Sequence, residues 1–237
     1  MVNRWLHLLM LGGDPWLLPI WAAANEAARE GRVQPLTDEL REFGLHVSIR
    51  LNVLPRVAQR IMQECYEVYV AAKEHRPEHV FTEVSQGYAF PLKDDLKYRL
   101  IADIDSFLFE SNSCWELMRK VFRLIRAHVG RPVADGSAGL TDELKRALGG
   151  VGQQWFSWLD RHRNFVAHKG TPYLAIDVTN DDEWDLLVMK ENLRTFADPG
   201  KFFRYTEMVQ VAREFDTARL ALQTHLIELF QRAGPRR

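Results

Sequence analysis

The sequence predicts a mainly α-helical bundle with one β-hairpin inserted before the last helix. Three observations carry this reading. Between Asp94 and His128, apolar residues recur at steps of three and four through Leu96, Leu100, Ile104, Phe107, Trp115, Met118 and Ile125. A second run of this kind fills residues 201–232. Between the two, the short apolar runs 173–178 and 184–189 flank the polar stretch Thr179-Asn180-Asp181-Asp182-Glu183, which reads as a hairpin with a five-residue loop.

The elements follow in order. Residues 19–30 suit a short helix, with Pro19 at its start and Gly31 just past its end. Thr37-Asp38-Glu39-Leu40 opens a short turn of helix before Gly44, and residues 46–54 fit strand or helix. Pro55 then suits the first position of a helix over 56–74, whose apolar face is Val57, Ile61, Cys65, Val68 and Ala72. The segment Asp94 to His128 is a helix of roughly 50 Å at 1.5 Å per residue, the spine of the bundle. Residues 131–139 read as a loop, and Thr141-Asp142-Glu143-Leu144 as a helix start. A helix containing residues 155–168 is stopped by Lys169-Gly170-Thr171-Pro172, and the hairpin then occupies about 172–190. The final helix buries Phe203, Met208, Val211, Phe215, Ala218, Leu222, Leu226 and Phe230. The expected organisation is an N-terminal helical appendage, residues 1–54, packed on a helical body, residues 55–232.

Composition narrows the function. The 237 residues are 46% hydrophobic, with 13 Phe and 7 Trp, enough for a real core in one large domain or a domain with an appendage. A formal net charge of −1 excludes a bulk polyanion binder, so any nucleic-acid contact must come from a local patch. Cys65 and Cys114 have neither paired spacing nor a CxxC motif, which points to buried thiols in a reducing compartment. Residues 1–11 look like a short signal-peptide core, but Gly12-Gly13-Asp14-Pro15 breaks it and the apolar stretch is too short to span a bilayer. A peripheral helix and a cytoplasmic protein without membrane contact are expected. Trp5, Trp16 and Trp21 pack onto the bundle or form a partner surface.

Chemistry gathers in WFSWLDRHRNFVAHKG, residues 155–170. An Arg followed by a His recurs at Arg41 and His46, Arg123 and His128, Arg163 and His168, and Arg219 and His225, so that pattern alone selects nothing. Helical projection at about 100° per residue discriminates. Val151, Trp155, Trp158, Leu159, Phe165 and Val166 share an apolar arc, with His162 in its middle. Asp160, Arg161, Arg163, Asn164 and His168 lie on the opposite arc, and Asn164 and His168 are one turn apart. Arg163 is roughly 140° from His168, so its side chain must curl across the surface or meet a His from another copy. Among the competing pairs, His128 follows an apolar register, Gly44 interrupts Arg41 and His46, and Leu220 follows Arg219 where a polar partner would be needed.

His162, between Trp158 and Phe165, is expected to be structural, with a polar partner for its ring nitrogens. Arg161 and Lys169 supply local positive potential for RNA or solvate the helix end. Arg119, Arg123 and Arg126 form a basic row that is a solvated face, or an RNA track if it lies beside Arg163. Asp103, Asp105 and Glu110 are acids on the spine helix that form surface ion pairs, or one of them braces Arg163 or His168. No metal ligation is expected of Asp181, Asp182 and Glu183, and no cofactor is expected.

The run RNFVAHKG, closing an amphipathic helix and preceded by a long helix, resembles the HEPN superfamily (higher eukaryote and prokaryote nucleotide-binding domains). Its motif is an Arg, a polar residue, and a His after four to six intervening residues, matched in order by Arg163, Asn164 and His168. A late strand pair before the last helix is also similar to stand-alone bacterial members of the abortive-infection type. The resemblance covers about residues 55–232. It implies a metal-independent endoribonuclease whose active cleft is built by two copies of the motif in a homodimer, with Arg163, Asn164 and His168 catalytic. Arg161, Lys169, Arg123 and Arg126 are the RNA-binding candidates. His168 can exchange protons with the 2′-hydroxyl or the leaving oxygen. Arg163 can pair with phosphate oxygens. Asn164 can orient the imidazole or bind a phosphate oxygen. The implied product is a 2′,3′-cyclic phosphate, and the implied setting is phage defence or toxin–antitoxin stress, with an antitoxin protein as a possible partner. The alternative is a non-catalytic HEPN module that binds RNA, a nucleotide or a partner protein.

Overall fold

A computed structural model describes residues 13–75, 90–133, 137–149, 154–179, 183–193 and 196–234. The helix expected over residues 1–11, Trp5, Val151, and the loop acids Asp181 and Asp182 lie outside the described residues. A single 3-10 turn, Pro15–Leu17, leads into α1 (Leu18–Arg29). The other helices are α2 (Asp38–His75), α3 (Asp94–His128), α4 (Ser137–Ala147), α5 (Gln154–His168) and α6 (Tyr205–Gln231). Strands β1 (Tyr173–Asp177), β2 (Asp185–Met189) and β3 (Phe202–Arg204) form an antiparallel sheet in the order β1-β2-β3. The chain is thus mainly helical, with its sheet just before the last helix. Among the described residues, no helix is long and apolar enough to cross a membrane.

The chain packs as two compact units, Met1–Val53 with Ser113–Val151 and Thr217–Arg237, and Leu54–Asn112 with Gly152–Asp216. The expected boundary at residues 54 and 55 falls inside α2.

In the first unit, Trp16, Leu17, Ile20, Ala24 and Ala27 are buried, as are Val47 and Leu51 of α2, Met118, Val121, Phe122 and Ile125 of α3, and Leu222, Leu226 and Phe230 of α6. Polar ties close the seams. The Trp16 indole donates to the Arg219 carbonyl at 2.8 Å, and Arg219 pairs with Asp14 at 2.8 Å. Gly31, at φ +70°, takes the left-handed conformation that ends α1.

Two expectations for α2 need correction. Gly44 does not end a helix, and Pro55 does not begin one; a single helix runs through both. The Trp21 ring lies 2.6 Å from where a Cβ at residue 44 would sit, so glycine permits the approach of α1 to α2. An internal proline removes one helix hydrogen bond and costs about 3 kcal/mol. Burial of Leu51, Leu54, Val57 and Ile61 around it offsets that cost and keeps the helix continuous.

In the second unit, β2 is central and all five of its residues are buried. Register pairs Tyr173 with Met189 and Asp177 with Asp185, and Val188 with Phe203. The expected last helix starts at 201, but residues 202–204 form β3 and α6 begins at Tyr205. Asp185 enforces that start: its carboxylate accepts from the Thr206 backbone N–H at 3.3 Å and from the Thr206 hydroxyl at 2.6 Å. Arg204 answers the facing acid Asp177 at 2.8 Å. The Thr179 hydroxyl, then Arg204, hold the Asp177 carboxyl below the usual carboxylate range. Leu100, Ile104, Phe107, Trp155, Leu159, Phe203 and Phe215 complete this core.

Candidate functional site on helix α5

Helix α5 buries Trp155, Leu159 and His162, one side of its cylinder, in the second unit. Arg161, Ala167 and His168 are exposed, while Asp160, Arg163 and Asn164 are half-buried beside them. Spacing puts Asp160 one turn before both Arg163 and Asn164, and the three side chains close into a triangle. Arg163 Nη2 donates to Asp160 Oδ1 at 3.0 Å and to Asn164 Oδ1 at 2.8 Å. Asn164 Nδ2 donates to Asp160 Oδ2 at 3.2 Å. One guanidinium nitrogen is thereby anchored, and the enclosed Nε has no hydrogen-bond partner among the described residues.

His168 stands at the exposed end of the helix, and no hydrogen bond joins it to Arg163 within one chain. Arg163 and Asn164 are thus brought together and oriented, and His168 is presented to solvent one turn beyond Asn164. Asp160 is the residue that sequence reasoning missed, although its spacing to Arg163 and Asn164 was there to read. None of the acids considered from α3 serves this role. Asp103 is held by Arg60 of α2 through two bonds of 2.7 and 2.6 Å. Asp105 has an enclosed Oδ1 without a partner among the described residues, and burial pushes its carboxyl up to about 6.

His162 is buried between two rings, with centroids 4.4 Å from Trp158 and 4.4 Å from Phe203. Among the described residues none supplies the polar partner expected for it, and its Nδ1 is enclosed without a hydrogen bond there. Burial, and then the charges of Lys190 and Arg161, lower its pKa to about 3, so the ring is neutral at pH 7.

The basic candidates divide. Arg161 and Lys169 are exposed on and just past α5. Lys190, which sequence reasoning did not single out, joins them: its ammonium lies 6.0 Å from the Phe165 ring centroid. Arg123 and Arg126 belong to the first unit. There Arg123 is exposed, whereas Arg126 donates to the Arg131 carbonyl at 2.9 Å and pairs with Glu143 at 3.3 Å. Arg119 pairs with Glu116 at 2.7 Å.

The first unit also contains an open cleft of about 420 Å³, with His46, His128, Lys120 and Phe43 in its lining. His128 is half-exposed there and bonded to the Gln34 carbonyl at 2.9 Å; its apolar register does not bury it. Among the described residues, no group of three or more His, Cys, Asp or Glu side chains is placed to hold a metal ion. Comparison with protein-family models, with curated proteins and with solved structures finds no match for this chain.

Proposed function

We propose that this protein is a metal-independent endoribonuclease of HEPN type, acting as a homodimer that joins two α5 ends in one cleft. The observation that carries the reading is the Asp160–Arg163–Asn164 triangle, which holds an Arg and an amide one turn from an exposed His at a helix end. Asp160 and Asn164 hold Nη2 of the Arg163 guanidinium, leaving Nη1 for a phosphate or for the second copy. The separation of Arg163 from His168 within one chain supports a composite site, in which each His works with the other copy's Arg. His168 takes the proton of the 2′-hydroxyl, whose oxygen attacks the adjacent phosphorus. The P–O5′ bond breaks, the 5′-oxygen leaves with a proton, and a 2′,3′-cyclic phosphate remains. Such an activity suits a cytoplasmic role in phage defence or stress toxicity, held in check by an antitoxin protein.

The test is cleavage of single-stranded RNA by the purified protein in EDTA. Arg163→Ala and His168→Ala should each lose the activity while keeping the helical circular dichroism spectrum. An equimolar mixture of the two variants should regain part of it, because each hybrid dimer keeps one intact pair. Abolition by EDTA, or full activity in His168→Ala, would refute the assignment. One observation favours a second reading, a non-catalytic RNA-binding HEPN module: Asp160 already answers the Arg163 charge. Binding of RNA without any cleavage would decide for it.

A further inference from the structure

Arg161, Phe165 and Lys169 stand at successive four-residue steps, so they share one stripe along and just past α5. Lys190 reaches the same stripe from the end of β2. Its backbone N–H is fixed to the Lys201 carbonyl at 2.8 Å, and its ammonium donates to the Gly200 carbonyl at 2.9 Å. Its ammonium lies 6.0 Å from the centroid of the half-buried Phe165 ring and close enough to Arg161 and Lys169 for their charges to act on it. Among the described residues, no acidic side chain forms an ion pair with any of the three cations, whereas the neighbouring Lys201 is paired with Glu191 at 2.8 Å. Burial, followed by the charges of Arg161 and Lys169, makes Lys190 a weaker base than an ordinary lysine, with Asp198 the opposing acid. A helix C-terminus accounts for one favourable cation on its last turn, not for a further lysine delivered from a strand.

We propose that Arg161, Lys169 and Lys190, on the stripe that carries Phe165, form a seat for the backbone of single-stranded RNA. This rests on the ribonuclease reading and names its substrate form. The stripe from Arg161 to Lys169 is about 12 Å long at 1.5 Å per residue. Unanswered cations attract phosphates, and an aromatic ring between them offers a face that unstacked bases can use and a duplex cannot. His168 lies seven residues after Arg161, on the edge of the same stripe, so a strand seated here passes the exposed imidazole.

The experiment uses the full chain and a fluorescein-labelled 2′-O-methyl oligouridylate of about 12 nucleotides, which cannot be cut by 2′-hydroxyl attack. Affinity is read by polarisation across a salt series, beside a duplex of the same length. The single strand should bind more tightly than the duplex. Lys190→Gln and Arg161→Gln should each weaken binding roughly threefold or more and lower the slope of log affinity against log salt by about 0.7. Lys190→Arg should restore both, and Lys201→Gln should change neither. Phe165→Leu should narrow the preference for single strand over duplex. Equal affinity for strand and duplex, an unchanged slope in Lys190→Gln, or an equal loss in Lys201→Gln would overturn the proposal. Tight strand binding by a protein that cannot cleave ordinary RNA would instead count against the catalytic reading alone.

Discussion

Replacing Glu64 by Gln should stabilise the protein above neutral pH and leave it nearly unchanged in acid. Glu64 lies on α2, is 4% exposed, and has an enclosed Oε2 without a hydrogen-bond partner among the described residues. Burial comes first among the influences on it, and the charge of Asp103 on α3 adds to it. Arg99 and Arg60 oppose both, and the carboxyl is nonetheless pushed up to about 7. An unfolded Glu titrates near 4.5. Below that value both states hold the proton and ionisation costs nothing. Between about 4.5 and 7 the unfolded chain gives up its proton while the folded chain keeps it, so stability falls as pH rises. Above 7 the loss is complete. A rise of this size corresponds to about 3 kcal/mol at 1.36 kcal/mol per pKa unit. Water at the Arg60 side chain, which is 53% exposed, screens the cluster, and a realised effect of about 1–3 kcal/mol is expected. Urea unfolding measures it: at a slope near 3 kcal/mol/M, Glu64→Gln should raise the midpoint by roughly 0.3–1 M at pH 8. At pH 4 the shift should vanish. An equal shift at both pH values would show that shape, not charge, sets the cost, and a lower midpoint at pH 8 would refute the reasoning outright.

Two other predictions concern packing. His162 has its pKa lowered to about 3 from an ordinary 6.5, so its contribution is full above 6.5 and drains away as pH falls toward 3. His162→Phe, which keeps a ring between Trp158 and Phe203, should therefore move acid unfolding to lower pH, as followed by circular dichroism. An unchanged acid midpoint would mean the imidazole is hydrated. Gly44→Ala should destabilise by about 1–3 kcal/mol despite alanine's better helix propensity, because its Cβ would meet the Trp21 ring at 2.6 Å. Thermal melting should show the loss, and Trp21→Leu in the same chain should recover part of it.

What could be read from the sequence, and what could not, separates along the reach of the interactions. The bounds of α3 emerge directly, since an unbroken three-and-four rhythm of apolar residues leaves a helix no alternative. The hairpin and the end of α5 at His168 are also local, set by polar loops and by the Gly170 and Pro172 stop. Helix α2 was misread because Gly44 and Pro55 are local punctuation, whereas the reasons for running through them are a Trp21 ring from another helix and flanking burial. Strand β3 escaped for a similar reason. Three residues have no period, and they are extended because β2 presents an edge that needs Phe202 and Arg204 beside it. On α5 the one-turn spacing of Asn164 and His168 was legible, as was that of Asp160 to Arg163 and Asn164. The arrival of Lys190 at Phe165 was not, because the turn after β2 decides it.

The burial pattern of α5 also separates its two imidazoles. Two imidazoles lie six residues apart on one helix, and six residues is not a whole number of turns, so they face different surroundings. His162 is pressed between aromatic rings and kept neutral, with a proton affinity too low to serve as a base at pH 7. His168 is exposed where the helix ends. On the ribonuclease reading, proton transfer therefore falls to His168, while His162 is a packing residue whose replacement changes stability before it changes chemistry. The variants divide accordingly. His162→Phe should retain cleavage with an unchanged pH profile near neutrality, and His168→Ala should lose cleavage without loss of stability. A reversal of those two results would place the reactive imidazole inside the core, where a phosphodiester cannot reach it.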